Sequence, residues 1–195
     1  AIRYIISNPS DRSYHKQFTI DSVNFITDAQ LSFEDQTREK EVFNRINYRY
    51  YEKYYKPKIL DRRVFFHPDS LYSRSSTLNT QRQLANVDVF KFININYDTT
   101  NNFFIANIYT RPLTRNQWSN EAGVNVTQGF PGPFYTTTFK RRNLFHGLEN
   151  FELSGRIGIE GVTSASNVDD TFTSFETGVN ASLIFPQFVM PFSKR

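Results

Sequence analysis

From Phe151 to Gly161 the chain alternates with a period of two. Phe151, Leu153, Ile157 and Ile159 fall on one side, and Glu152, Ser154, Arg156 and Glu160 on the other. Successive side chains of a strand point to opposite faces, so this pattern predicts a strand with one apolar and one charged face. Trp118–Gln128 alternates in the same way, with Ala122, Val124 and Val126 opposite Glu121, Asn125 and Thr127. Gly129-Phe130-Pro131-Gly132-Pro133 reads as a dense turn, and Phe134–Lys140 as a threonine-rich strand. Asn143–Gly147 is a further turn and Asn167–Asp170 a loop. Phe175–Phe185 sets Val179, Ala181, Leu183 and Phe185 against Glu176, Asn180 and Ser182. Residues from Trp118 onward therefore predict an up-and-down meander of long strands, with no helical period.

The first half carries mixed periods. Arg3–Ser7 has a short strand pattern that ends at Asn8-Pro9-Ser10. Phe18–Ile26 predicts a strand with Phe18, Ile20, Val23 and Phe25 inward, and its phase change near Asp21-Ser22 suggests a bulge. Residues 30–41 are polar and charged, a predicted loop, and Asn44–Tyr55 is tyrosine-rich, a strand or an aromatic-rich extended segment. Pro57 opens a segment suited to a short helix, because proline is tolerated in a first helical turn. His67-Pro68-Asp69 ends it. Ser73 or Ser75 can cap a second helix over Thr77–Val87, with Leu78, Leu84 and Val87 near one face. Val89–Asp98 and Phe103–Thr110 then alternate as a hairpin. The order over residues 18–113 is strand, short helix, helix, strand, strand, an α+β unit.

Composition narrows the function classes. Apolar residues make up 38% of the 195 positions, and two prolines, Pro186 and Pro191, interrupt the most apolar stretch, so no helix is expected to span a membrane. Strands of about ten alternating residues are long enough to cross a bilayer when tilted. The chain has 20 Phe and 11 Tyr, which suit strands and the aromatic girdles of membrane barrels. Cysteine is absent, which excludes disulfides and thiol chemistry. The net charge is +4, but the cations are interspersed with 19 acids, so nucleic acid is not an expected partner.

No catalytic constellation stands out. His15, His67 and His146 have no second histidine or carboxylate at ligand spacing in the sequence. Gly155, Gly158 and Gly161 sit in a strand pattern rather than before a helix, which does not suit a phosphate loop. Glu152, Arg156 and Glu160 fit a salt-bridge ladder on one strand face better than a catalytic carboxylate pair. No enzyme activity, cofactor or metal is expected.

Taken in order, several short stretches resemble one family. They are Lys56-Pro57-Lys58-Ile59-Leu60; Val64-Phe65-Phe66-His67-Pro68-Asp69-Ser70-Leu71-Tyr72-Ser73; Thr80 and Leu84; and Val89-Phe90-Lys91-Phe92-Ile93-Asn94-Ile95. Arg142-Asn143-Leu144-Phe145, Gly147, Glu149, Phe185-Pro186 and Pro191-Phe192 complete the set. Together they resemble the BamA/TamA family of outer-membrane assembly proteins, most nearly its TamL branch, the lipoprotein members found in Bacteroidetes. The resemblance departs at Pro68-Asp69-Ser70, where the family usually has a glycine. It implies that residues 1–17 end a preceding POTRA-like domain and that 18–113 form a membrane-proximal POTRA domain, strand-helix-helix-strand-strand. Residues 114–195 would be the first strands of a transmembrane β-barrel, all-β and antiparallel. It further implies an internal piece of a longer chain, with a lipoprotein cysteine before Ala1 and an Arg-Gly-Phe motif and closing strands beyond Arg195.

The function implied is non-enzymatic outer-membrane protein assembly or translocation, with the POTRA domain in the periplasm. Val89, Phe90, Lys91, Phe92, Ile93, Asn94 and Ile95 would form a sheet edge to which a client or partner strand adds. Trp118, Asn120, Gly123, Asn125 and Gln128 would lie on the barrel strand that forms one side of a lateral seam. Implied partners are nascent outer-membrane proteins, a TamB-like inner-membrane protein or Bam-type accessory proteins, and outer-membrane lipid. The alternative is a soluble β-rich adhesive or glycan-binding module.

Overall fold

The computed structural model describes residues 17–29, 37–99, 103–127, 130–163 and 171–186. Within them the chain is mostly β-sheet with two helices. It divides into two compact units. One takes in residues up to Lys53, Leu60–Asn86 and Phe92–Arg111; the other takes in Tyr54–Ile59, Val87–Lys91 and the residues from Pro112 onward.

The first unit is built on a five-stranded sheet of order β2-β3-β1-β5-β4. Its strands are β1 (Ser22–Ile26), β2 (Glu39–Phe43), β3 (Ile46–Tyr50), β4 (Phe90–Asp98) and β5 (Ile105–Pro112). β1 runs parallel to both β3 and β5. That register makes one face apolar. Val23 pairs with Ile46 and Ala106, and Phe25 with Tyr48 and Ile108, all at most 1% exposed. Of these, Val23, Phe25, Ile46 and Ile108 each stabilise the fold by roughly 1.5–3 kcal/mol relative to exposure. The Tyr48 hydroxyl is buried without a hydrogen-bond partner, and burial pushes its phenol above the usual range. The opposite face holds Asn24, Asn47 and Asn107 in one row and Ile26, Arg49 and Tyr109 in the next.

Two helices follow β3, α1 (Pro57–Asp61) and α2 (Arg74–Ala85). Ser73 caps α2, its Oγ accepting from the Ser76 N–H at 3.4 Å. Thr80 and Leu84, one helical turn apart, are the buried positions. Leu78, expected on that face, is exposed, because six residues before Leu84 places it roughly 120° away around the helix. Thr80 takes the inward place and is satisfied there: its Oγ1 donates to the Ser76 carbonyl and accepts from the Phe65 N–H, both at 2.9 Å.

The sequence order needs one correction. Two strands, β2 and β3, intervene between β1 and the helices, so the predicted loop over 30–41 ends in a strand. They form a tight hairpin on Asn44 and Arg45, both at positive φ (48° and 66°), the backbone that two-residue hairpin turns need. The phase change near Asp21-Ser22 is a change of partner: Thr19 bridges Leu71, whereas Ser22 begins the pairing with β5. Asp69 occupies a left-handed conformation, φ 68°, in the turn before α2. The preceding domain expected over 1–17 lies outside the described residues except for Gln17.

The second unit is a four-stranded antiparallel sheet of order β6-β7-β8-β9. The strands are β6 (Asn116–Thr127), β7 (Phe130–Arg142), β8 (Asn150–Thr163) and β9 (Thr171–Ile184). The dense turn expected at Gly129–Pro133 is largely strand: Val126 pairs with Pro131 and Val124 with Pro133. Two prolines two residues apart remove donors on only one side of the strand, which a ladder tolerates. Gly132 is required by close approach, since a Cβ there would lie 1.7 Å from the Ile159 carbonyl oxygen.

The β7–β8 turn is fixed by its own polar groups. Glu149 Oε2 accepts from the backbone N–H groups of Phe145 and Gly147, and Asn143 Oδ1 accepts from that of Leu148. Asn143 Nδ2 donates to the Tyr54 carbonyl at 2.7 Å and Asn150 Nδ2 to that of Val87 at 3.0 Å. These bonds hold residues 54–59 and 87–91 within the second unit. They give the Arg142–Asn150 stretch a structural role.

Candidate docking edge and apolar sheet face

β4 is one edge of the five-stranded sheet and β2 the other. Unpaired edge groups attract additional strands, and charged side chains blunt that tendency. β2 presents Glu39, Lys40 and Glu41 within five residues. β4 runs nine residues and carries only Lys91 and Asp98 as charges, so it is the less protected edge. Not all of its candidate residues are accessible. Val89 and Phe90 are buried, and Phe90 packs on Tyr55 with ring centroids 5.2 Å apart. Lys91 and Phe92 are exposed; Ile93, Asn94 and Ile95 are half-buried. Tyr97 anchors the far end of the strand. Its ring meets Phe66, Tyr72 and Phe104, and its hydroxyl lies 2.5 Å from Thr77 Oγ1. Burial raises its phenol pKa, and the Thr77 hydrogen bond opposes that rise.

The four-stranded sheet has two chemically opposite faces. Directly opposed residues share a face, so the register assigns each side chain. One row reads Trp118, Phe139, Leu153, Ala181; another reads Ala122, Tyr135, Ile157, Thr177. Val124 and Val126 continue the apolar face on β6, and Ile159 pairs with Phe175. These side chains are open: Trp118 is 65% exposed, Phe175 67% and Val179 80%. The other face reads Gln117, Lys140, Glu152, Ser182 and then Ser119, Thr138, Ser154, Asn180. Lys140 Nζ lies 3.7 Å from Glu152, and Arg156 Nε lies 3.5 Å from Glu176. Glu152 and Arg156 of β8 thus pair across strands, not along one strand face as the sequence pattern suggests.

The seam residues separate by face. Trp118 and Asn120 lie on the apolar side. Asn120 Oδ1 accepts from Trp118 Nε1, the Tyr135 hydroxyl and the Thr137 hydroxyl at 3.1, 2.8 and 2.9 Å. This polar node satisfies groups that an apolar surrounding would leave unpaired, and it stitches β6 to β7. Gly123 and Asn125 lie on the polar side. The Phe134 ring covers Gly123, where a Cβ would meet it at 2.8 Å, and the Arg156 guanidinium sits 4.5 Å from the centroid of that ring. Gln128 lies outside the described residues. β6 and β9 are the edges of this sheet.

Among the described residues no group of three or more His, Asp or Glu side chains is placed to hold an ion. His67 does have a carboxylate, Asp61 Oδ1 at 3.2 Å, which sequence spacing did not indicate. Sequence patterning also missed Tyr135 and Phe139 as members of the apolar face. The cross-strand register with Ile157 and Leu153, legible once β8 is placed, is what finds them.

No protein-family model matches the chain, and no curated protein does. Among solved structures it is similar to the crystal structure of BamA from Haemophilus ducreyi lacking POTRA domains 1–3. The TM-score is 0.41 at 10% identity, over 85% of this chain and 32% of that one. The chain thus spans about a third of the length of that structure.

Proposed function

We propose that the chain is part of a non-enzymatic outer-membrane assembly factor of the BamA/TamA kind. In this proposal the β6–β9 sheet is the opening section of a transmembrane barrel and the α+β unit is a periplasmic POTRA domain. The observation that carries it is the apolar face of β6–β9: Trp118, Val124, Tyr135, Leu153, Ile157, Ile159, Phe175 and Val179 are all exposed on one side. Water opposes such a contiguous surface, whereas lipid accepts it. The face behind it is polar and ion-paired, as a wet lumen requires. A soluble adhesive module would have to cover the apolar side with a second layer.

The work on clients is assigned to two edges. Strand addition at Lys91–Ile95 would capture an extended client or a partner such as a TamB-like protein, using main-chain hydrogen bonds. β6 would offer the second edge, at the barrel seam. The TamL branch rests on the sequence resemblance alone. Vesicles carrying the chain should accelerate the folding of an unfolded outer-membrane barrel protein added outside, read by gel mobility of the folded client. Equal client folding rates in vesicles with and without the chain would refute an assembly role.

A further inference from the structure

The first unit has a groove on the open face of its sheet, away from the buried rows. Its volume is about 490 Å³, and Lys40, Arg49, Ile26, Tyr109, Asn24 and Asn107 are among its lining residues. The pairing sets Lys40, Arg49, Ile26 and Tyr109 in one row across four strands. Lys40 and Arg49 are therefore directly opposed on one face, an arrangement that destabilises a sheet. Among the described residues neither forms an ion pair and no carboxylate lines the groove. The acid behind it, Asp28, is occupied: Arg38 Nε binds its Oδ1 at 3.2 Å and the Tyr51 N–H its Oδ2 at 2.5 Å. The adjacent row is an amide ladder. Asn47 Nδ2 donates to Asn24 Oδ1 at 3.2 Å, and Asn24 Nδ2 donates to Asn107 Oδ1 at 2.8 Å. That direction leaves Asn107 Nδ2, in the groove lining, as a donor.

We infer that this groove is a binding site for a phosphorylated saccharide. Two opposed cations match a phosphomonoester, which carries about −1.5 to −2 charge near neutral pH, better than a single carboxylate. The Asn107 amide and the Tyr109 hydroxyl, both in the groove lining, offer a donor and an acceptor, which sugar hydroxyl groups satisfy together. Tyr109, at the other end of the cationic row, presents a ring to the C–H face of a sugar. The inference stands apart from the assembly proposal, since every residue it uses lies in the first unit.

The test is calorimetric titration of the full chain in detergent with glucose 1-phosphate, inorganic phosphate, glucose and a tetra-aspartate peptide. Glucose 1-phosphate should bind saturably and more tightly than the other three. Lys40→Gln and Arg49→Gln should each weaken it by about 10- to 100-fold, the range of a lost charge-assisted hydrogen bond. Arg49→Lys should recover part of that loss. Without ligand, Lys40→Gln should melt no lower than the parent, since it removes a repulsion. Arg111→Gln, outside the groove lining, should leave binding unchanged. Inorganic phosphate binding as tightly as glucose 1-phosphate would remove the saccharide. A tighter tetra-aspartate complex would assign the groove to acidic peptide instead. Binding indifferent to both Lys40→Gln and Arg49→Gln, or no binding of glucose 1-phosphate at all, would overturn the site.

Discussion

Arg142 and Asp88 meet twice: Arg142 Nε donates to the Asp88 carbonyl at 3.0 Å and lies 3.8 Å from its Oδ2. The guanidinium side chain is only 7% exposed, and its Nη1 also reaches the Thr114 carbonyl at 3.3 Å. Asp88 itself sits at positive φ, so the Arg142 contacts hold a backbone position that an aspartate adopts uncommonly. Arg142→Met would strand two carbonyls and should cost about 1–3 kcal/mol. Lys140 also reaches Asp88, at 2.6 Å, but from a more exposed position, and Lys140→Met should cost less than about 1 kcal/mol. Chemical denaturation of the full chain in detergent micelles, comparing the two variants, measures the difference.

Gly132, on β7, and Gly123, paired with Phe134 of β7, should behave differently when substituted. Gly132→Ala sets a methyl against the Ile159 backbone carbonyl, which cannot swing away. It should separate β7 from β8 at that end. Gly123→Ala meets only the Phe134 ring, which a small shift accommodates. Hydrogen exchange of the β7 and β8 amides should rise sharply for Gly132→Ala and little for Gly123→Ala.

Much of this fold was legible because alternation needs only residue polarity. β8 is the plainest case: from Phe151 to Glu160 its apolar residues Phe151, Leu153, Ile157 and Ile159 are all at odd positions and its charges all at even ones, and the sheet uses that division. β3 falls within the stretch Asn44–Tyr55, whose pattern allowed a strand, but β2 and the hairpin turn were hidden for physical reasons. Glu39, Lys40 and Glu41 read as solvated loop, and the turn uses Asn44-Arg45 where Asn-Gly would have signalled it. Phe130–Pro133 misled in the other direction: prolines usually mark turns, yet here they sit where their missing donors are harmless. Of the proposed edge, the strand itself was legible, but not the burial of Val89 and Phe90, which depends on distant partners such as Tyr55. The asparagine row and the Lys40–Arg49 pair required the sheet order, which no local pattern encodes.

Edge protection gives a prediction at β4. A photo-crosslinking residue at Phe92 or Asn94 should trap a client strand, whereas one at Val42 on the charged β2 edge should not. Ile93→Pro should weaken the Phe92 crosslink while the domain still folds, because it disturbs the edge ladder. An unchanged crosslink with lowered stability would make β4 a core strand and move docking elsewhere.

Asn120 should matter more than its exposed edge position suggests. Asn120→Ala removes the common acceptor of Trp118, Tyr135 and Thr137. The expected loss is about 1–3 kcal/mol, with a changed Trp118 emission. As the only tryptophan in the chain, Trp118 reports this node directly.

The central claim is that the apolar face of β6–β9 meets lipid, and site-directed spin labelling on β8 tests it most directly. Labels at Leu153, Ile157 and Ile159, in the chain reconstituted into phospholipid vesicles, should be accessible to oxygen and shielded from a water-soluble nickel complex. Labels at Glu152, Arg156 and Glu160 should show the reverse. A charge on the lipid side should also hinder insertion, since arginine at the bilayer midplane costs roughly 2–4 kcal/mol there. Equal exposure of both sets to the nickel complex would contradict the account.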